Sequence, residues 1–269
     1  MDRDTRRRFL DDYSRIRQAE GRGSDNPDYF RALPYRDLTG NNSEQWSIRA
    51  RTWNHFERLI LAEIEKETAR PLDILDVGAG NGWMSHRLSL RDHKPVALDI
   101  FSEYGDGLRS ARHYPRWFPC IEGEFDELPF RDGAFDLAIY NSSIHYSTDY
   151  RRTLREARRC LRGSGRVVIM DSPVYNLPEH GERMRAERHE LFERRYGFRS
   201  DSVPSIEYFD EATIESLGRD LKIEWRRSLP WYGLSWALRP WKARLFSRRP
   251  PSRFLILVGR FDGGSVSAR

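Results

Sequence analysis

The chain has 269 residues, 32% of them charged, with 46 Lys and Arg against 41 Asp and Glu, a net charge of +5 and a mean hydropathy of −0.77. That length buries a full core in one domain with decorations, and no apolar run approaches the ~20 residues a spanning helix needs. Cys120 and Cys160 stand in no metal-ligand pair, so no metal is expected and both read as small buried hydrophobes.

The N-terminus, with Arg6, Arg7 and Arg8 in a row, leads into a mixed-charge helix and lacks the apolar stretch of a signal peptide, which makes a cytoplasmic location the expectation. Aromatic side chains then gather: Tyr29, Phe30, Tyr35, Trp46, Trp53, His55 and Phe56. Asn42 with Gln45 offers a helix start, and Trp46, Trp53 and Ile60 recur every seven residues, so residues 43–66 are predicted to form an amphipathic helix packed on the core. Residues 29–39 are expected to act as a lid, and residues 1–66 as a helical N-terminal extension.

Residues 72–86 read strand, turn, helix. Ile74, Leu75 and Val77 form the short apolar run of a strand buried on both faces. Gly78, Gly80 and Gly82 then permit a tight turn that approaches a ligand closely, and the helix that follows aims its free N–H groups at the same point. A phosphate-binding P-loop requires Gly-Lys-Ser/Thr after its glycines, whereas Asn81-Gly82-Trp83 stands here. The dinucleotide fingerprint requires a third glycine where Trp83 stands.

Further elements follow in order. Residues 96–99 predict a second strand ending in Asp99, 19 residues after Gly80, near the offset of ~20 at which a strand-end carboxylate reaches ribose hydroxyls. An acidic turn, Glu124-Phe125-Asp126-Glu127, precedes Leu128-Pro129-Phe130; residues 133–140 predict a fourth strand, with Asn141, Ser142, Ser143, Ile144, His145 and Tyr146 at its carboxyl end, where open α/β sheets bind ligands. Residues 149–162 predict a surface helix closed by Gly163, and residues 166–171 another buried strand. Repeated strand and helix imply a parallel sheet with right-handed crossovers.

The pattern Asp76-x-Gly78-x-Gly80-x-Gly82, followed by Asp99 and Glu124-Phe125, resembles the class I S-adenosylmethionine-dependent methyltransferases over about 100 residues, 71–172. The resemblance implies a Rossmann-like, seven-stranded, mostly parallel sheet with an antiparallel C-terminal hairpin, helices on both faces, and here an N-terminal helical lid. It implies S-adenosylmethionine as cofactor, held by Asp76, Gly78, Ala79, Gly80, Asn81, Gly82, Asp99, Ile100, Glu124, Phe125 and Asn141, with Glu124 and Phe125 at the adenine. Glu124 stands where the family usually has Asp. The methyltransferase domain is expected over residues 67–262, with insertions at about 173–208 and 229–252, and residues 263–269 read as a disordered tail.

The acceptor is sought outside the cofactor core, at Tyr29, Tyr35, Trp46, Tyr146 and Trp231. His145 is the candidate general base, with Tyr146 and Asp171 behind it; its other reading is a pocket histidine that only hydrogen-bonds. Between late strands predicted at 221–227 and 254–259 runs a segment rich in Trp and Arg, and residues 219–253 carry a local charge of +8. Leu234, Ala237, Leu238, Trp241 and Leu245 share a helical face, with Arg239, Lys242 and Arg248 elsewhere. This suits peripheral membrane contact through residues 230–249, stacking on bases, or the aromatic wall of an acceptor pocket; Pro240 interrupts a long helix. Only Asn141 matches the Asn/Asp-Pro-Pro-Tyr/Phe pattern of enzymes that methylate adenine amines. The reading is therefore methyl transfer to oxygen or nitrogen of a small-molecule or lipid- or glycan-linked acceptor, rather than nucleic acid. RNA methylation and a non-catalytic S-adenosylmethionine-binding regulator are the alternatives.

Overall fold

The computed structural model describes residues 3–262 except 104, 200 and 202, and the tail expected at 263–269 lies outside the described residues. Along the chain come α1 (Arg3–Ala19), α2 (Pro27–Ala32), α3 (Ser43–His55), α4 (Ala62–Thr68), β1 (Asp73–Val77), α5 (Trp83–Ser89), β2 (Lys94–Asp99), β3 (Cys120–Glu122), β4 (Phe135–Asn141), α6 (Tyr150–Cys160), β5 (Leu161–Met170), β6 (Val174–Tyr175), α7 (Pro178–Tyr196), β7 (Phe209–Asp210), α8 (Glu211–Leu221), β8 (Ile223–Ser228), α9 (Leu234–Ala237), α10 (Arg239–Leu245) and β9 (Ile256–Phe261).

Seven strands form one sheet in the order β3-β2-β1-β4-β5-β9-β8. β1 to β5 are parallel, and β9 runs antiparallel to both β5 and β8. The order reverses between β1 and β4, which opens a crevice above their carboxyl ends. Alternation along the strands divides the core in two. Ile74, Leu137, Ile139, Val168, Met170, Ile256 and Val258 face α3, α4 and α5. Leu75, Ala138, Tyr140, Val167, Ile169 and Leu257 face α6 and α8. All seven residues of β4 are buried, as suits a central strand covered on both faces.

The helix predicted over 43–66 is present, with a π-helical turn at Phe56–Leu61 between α3 and α4, and Trp46, Trp53 and Ile60 all buried. Asn42 stands at its start without capping it; the side-chain amide donates instead to the Glu20 carbonyl at 3.2 Å, tying α3 to the end of α1. Gly163 does not close α6. It lies inside β5, because the chain turns extended at Leu161, directly after Cys160. Cys160 is buried, but Cys120 is exposed on the edge strand β3.

Within the N-terminal extension, residues 29–39 do not line the crevice and α1 does. Tyr29, Phe30 and Leu33 are buried in the core, with Phe30 stacked on His113 at 4.8 Å and edge-on to Tyr114. α1 covers the crevice instead. In the two insertions, β6 and β7 pair in parallel around α7, and α9 and α10 sit between β8 and β9.

Candidate active site

The carboxyl ends of β1, β2, β4 and β5 open into a cavity of about 800 Å³, within the usual range for small-molecule sites. Asp76, Gly78, Ala79, Gly80, Asn81, Asp99, Ile100, Glu124, Phe125 and Asn141 line it together. Residues drawn from four separate stretches of sequence thus meet because parallel strands deliver their carboxyl ends to one edge.

The glycine turn has a local physical cause. Gly78, Gly80 and Gly82 adopt φ of 74°, 55° and 77°, in the left-handed region that glycine enters without strain. At Gly78 space also excludes a side chain: a Cβ would lie 2.3 Å from the Cβ of Ser143, where the end of β4 crowds the loop. The backbone N–H groups of Gly78 and Ala79 donate to the Leu98 carbonyl at 2.7 and 3.0 Å, fastening the turn to β2. Gly82 does not line the cavity; it faces Phe118 and Tyr114, so packing rather than ligand approach accounts for it.

The acids are held by backbone donors. Asp99 accepts from Gly80 N–H at 2.7 Å and from Phe101 N–H at 2.8 Å, a fork that sets its carboxylate over the turn. Desolvation raises its pKa against those hydrogen bonds. Asp76 accepts from the amide and hydroxyl of Ser85 through Oδ2, while its buried Oδ1 has no hydrogen-bond partner. Burial pushes Asp76 up to about 7. The Oδ1 of Asn141 is likewise buried without a partner.

α1 closes this end. Phe9, Tyr13, Ile16 and Arg17 line the cavity from above. Tyr13 packs edge-on against Phe101 at 5.1 Å and Tyr146 at 6.1 Å. Arg17 pairs with Asp106 at 2.6 Å, and Asp106 accepts from Asn81 at 3.1 Å, linking the lid to the glycine turn. Sequence reasoning missed these residues, although Phe9, Tyr13 and Ile16 recur at i, i+4 and i+7, the signature of a buried stripe on an otherwise charged helix.

The far end of the cavity contains Arg49, Ser142, His145, Asp171, Arg188, Phe192 and Phe254. Asp171 follows β5 directly and has φ of 53°, in the left-handed region. Its Oδ1 accepts from the Thr52 hydroxyl at 2.6 Å, Thr52 in turn meets the Tyr232 hydroxyl at 2.9 Å, and Oδ2 has no hydrogen-bond partner. Burial raises the Asp171 pKa, opposed by Thr52 and by the nearby charge of Arg49. His145 Nδ1 lies 3.3 Å from the Ser172 hydroxyl. Burial, then Arg188 and Arg49, push its pKa down to about 3, so the ring is neutral at pH 7 and weakly basic.

Of the side chains expected at the acceptor, Trp46 and Tyr146 line the cavity. Tyr29, Tyr35 and Trp231 stand elsewhere. Tyr29 is in the core. Tyr35 is exposed beneath the Arg87 guanidinium, and Trp231 is 65% exposed. None of Trp225, Trp231, Trp236 and Trp241 lines the cavity, so the aromatic segment is not its wall.

Comparison with known proteins accords with this geometry. Residues 75–169 match a family model described as a methyltransferase domain. A malonyl-(acyl-carrier protein) O-methyltransferase of Legionella pneumophila is 32% identical over 116 residues, which span 42% of this chain and 39% of that protein. The chain thus spans less than half the length of this relative. Among solved structures, the PH0226 protein of Pyrococcus horikoshii superposes with a TM-score of 0.56 at 21% identity, covering 87% of this chain and 99% of that one. The 1,6-didemethyltoxoflavin-N1-methyltransferase of Burkholderia thailandensis, solved with 1,6-didemethyltoxoflavin and S-adenosylhomocysteine, gives 0.51 at 16% identity, covering 82% and 89%. Family match, strand order and glycine turn agree: the chain carries the class I methyltransferase domain, whose cofactor is S-adenosylmethionine.

Proposed function

We propose that the chain transfers a methyl group from S-adenosylmethionine to an oxygen or nitrogen of a small-molecule acceptor or of the small head of a lipid- or glycan-linked one. The observation that carries this reading is the single cavity that joins the cofactor residues to a polar compartment around Arg49, His145 and Asp171. The donors and acceptors at the first end suit this cofactor. Asp76 Oδ1 and Asn141 Oδ1, both buried without partners, match an ammonium group. The free lone pairs of Asp99 match vicinal hydroxyls, and Phe125 with Ile100 offers apolar faces for a base.

When bound, the cofactor supplies an activated methyl on a sulfonium. The protein's main task is then to hold the acceptor atom in line at ~3–3.5 Å. A hydroxyl acceptor must also lose its proton. Asp171 is better suited to take it than His145: it lines the cavity, one oxygen of its carboxylate is buried without a hydrogen-bond partner and its affinity for a proton is raised, whereas the pKa of His145 is held far below the working pH. His145 then orients the acceptor by hydrogen bonding. The relatives named above act on different acceptors, through oxygen in one name and nitrogen in the other.

Titration calorimetry with S-adenosylmethionine, followed by S-adenosylhomocysteine release with candidate acceptors, tests the reading. Binding with turnover is expected. Binding without turnover on any carboxylate, hydroxyl or amine acceptor would favour a regulator, and no binding would overturn the cofactor assignment.

A further inference from the structure

The segment between β8 and β9 has two faces of opposite character. Its inner face is fastened to the acceptor end of the cavity. The Tyr232 hydroxyl donates to the Phe254 carbonyl at 3.1 Å, the Arg51 guanidinium bonds the Tyr232 carbonyl, and Trp236 packs on Phe254 at 5.5 Å. Arg239 covers Trp236 at 3.5 Å and donates to the Ser252 carbonyl. Phe254 itself lines the cavity.

The outer face is apolar and uncovered. Leu238 keeps helical dihedrals between α9 and α10, and Pro240 falls in the first turn of α10, where its missing N–H removes no helix bond. The two short helices therefore run on almost as one, and Leu234, Leu238, Trp241 and Leu245 form a continuous stripe. Leu234 is 73% exposed, Trp241 79% and Leu245 78%, with Trp231 and Phe246 exposed beside them. Isolated exposed hydrophobics are ordinary, but a stripe of this kind marks a binding surface.

Charge selects the occupant. Residues 229–251 contain five basic residues and no acidic one. Lys242, Arg244 and Arg248 take part in no ion pair among the described residues. A second copy docking through the same face would set this positive surface against itself. A bilayer bearing anionic headgroups meets both requirements, taking the leucines and tryptophans at its boundary and the cations at its surface. Among the described residues no helix is long and apolar enough to cross a membrane.

We infer that the α9–α10 face docks the protein on an anionic lipid surface, next to the acceptor wall of the cavity. The inference does not depend on the proposed reaction. The test is flotation of the full chain with vesicles of phosphatidylcholine alone and of equimolar phosphatidylcholine and phosphatidylglycerol. Binding is expected to the mixed vesicles, with little to the neutral ones, and it should weaken as salt is raised. Each of Lys242→Glu, Arg244→Glu and Arg248→Glu should weaken it by roughly fivefold or more. Trp241→Ala/Leu245→Ala should abolish it while S-adenosylmethionine binding, read by calorimetry, stays as in the unaltered chain. Failure of the unaltered chain to float with mixed vesicles would overturn the inference, as would undiminished flotation of the Trp241→Ala/Leu245→Ala variant. A dimer in light scattering that this same variant splits, without any flotation, would assign the face to a second copy instead.

Discussion

The glycine turn above β1 and the α9–α10 segment are both rich in residues that resist ordinary packing, yet they resolve in opposite ways. At the turn the packing is directed inward: Asp99 is forked by two backbone N–H groups, Asp106 links lid and loop, and a Cβ on Gly78 has no room. At the α9–α10 segment only the inner half is engaged, and the outer half presents leucine and tryptophan to solvent. Tight geometry is needed where a small cofactor must be placed to fractions of an ångström. A broad surface contact needs only area and charge of the right sign.

Substitutions sharpen this contrast. The largest effect is expected at Asp171: Asp171→Asn keeps the Thr52 hydrogen bond but removes the base, so turnover with a hydroxyl acceptor should fall by about 10² to 10⁴, with calorimetric cofactor affinity retained. A similar fall for His145→Ala with Asp171→Asn active would reverse the two roles. Next comes Gly78→Ala, where left-handed strain alone is of order 1–3 kcal/mol and the contact with Ser143 adds to it. A loss of cofactor affinity of about a hundredfold is expected, and unchanged affinity would show that the turn gives way. Asp99→Ala should weaken binding by about tenfold to a hundredfold, the usual worth of hydrogen bonds to a charged group.

Asp76 adds a pH signature. Its pKa in the folded protein, about 7, lies above the ordinary 3.8, so the folded state holds a proton that the unfolded state has lost across that window. Stability without cofactor should therefore fall as pH rises from about 4 to about 7. With Asp76 proposed as the partner of the cofactor's ammonium group, cofactor affinity should strengthen as pH rises through about 7. Asp76→Asn should flatten both profiles in chemical denaturation and calorimetry. The smallest effect is expected at the α9–α10 segment, where Trp241→Ala/Leu245→Ala should change unfolding free energy by no more than about 0.5 kcal/mol, measured by urea denaturation. A larger loss would mean that the stripe is packed after all.

The strands, the glycine turn and the strand-end acids were legible in the sequence because each depends on neighbours within a few residues: apolar runs for buried strands, glycine for positive φ, and an acid where a strand meets a loop. The place of α1 was not legible, since its stripe of Phe9, Tyr13 and Ile16 identifies an apolar face without saying what it covers. Tyr29 and Gly82 show the converse, residue types suited to a site but drawn into the core by Trp46 and Phe118 from other elements. His145 lines the cavity beyond the carboxyl end of β4, while its weak basicity comes first from burial and then from Arg188 and Arg49, 43 and 96 positions away in sequence. The same division separates Trp236 from Trp241. Composition and spacing made both equal members of one aromatic, basic segment, and only the approach of Phe254 turned one inward and left the other to solvent. Local backbone chemistry, written in adjacent residues, determined the fold and the kind of cofactor; contacts between distant elements decided the lid, the acid-base character of the acceptor end and the face left uncovered.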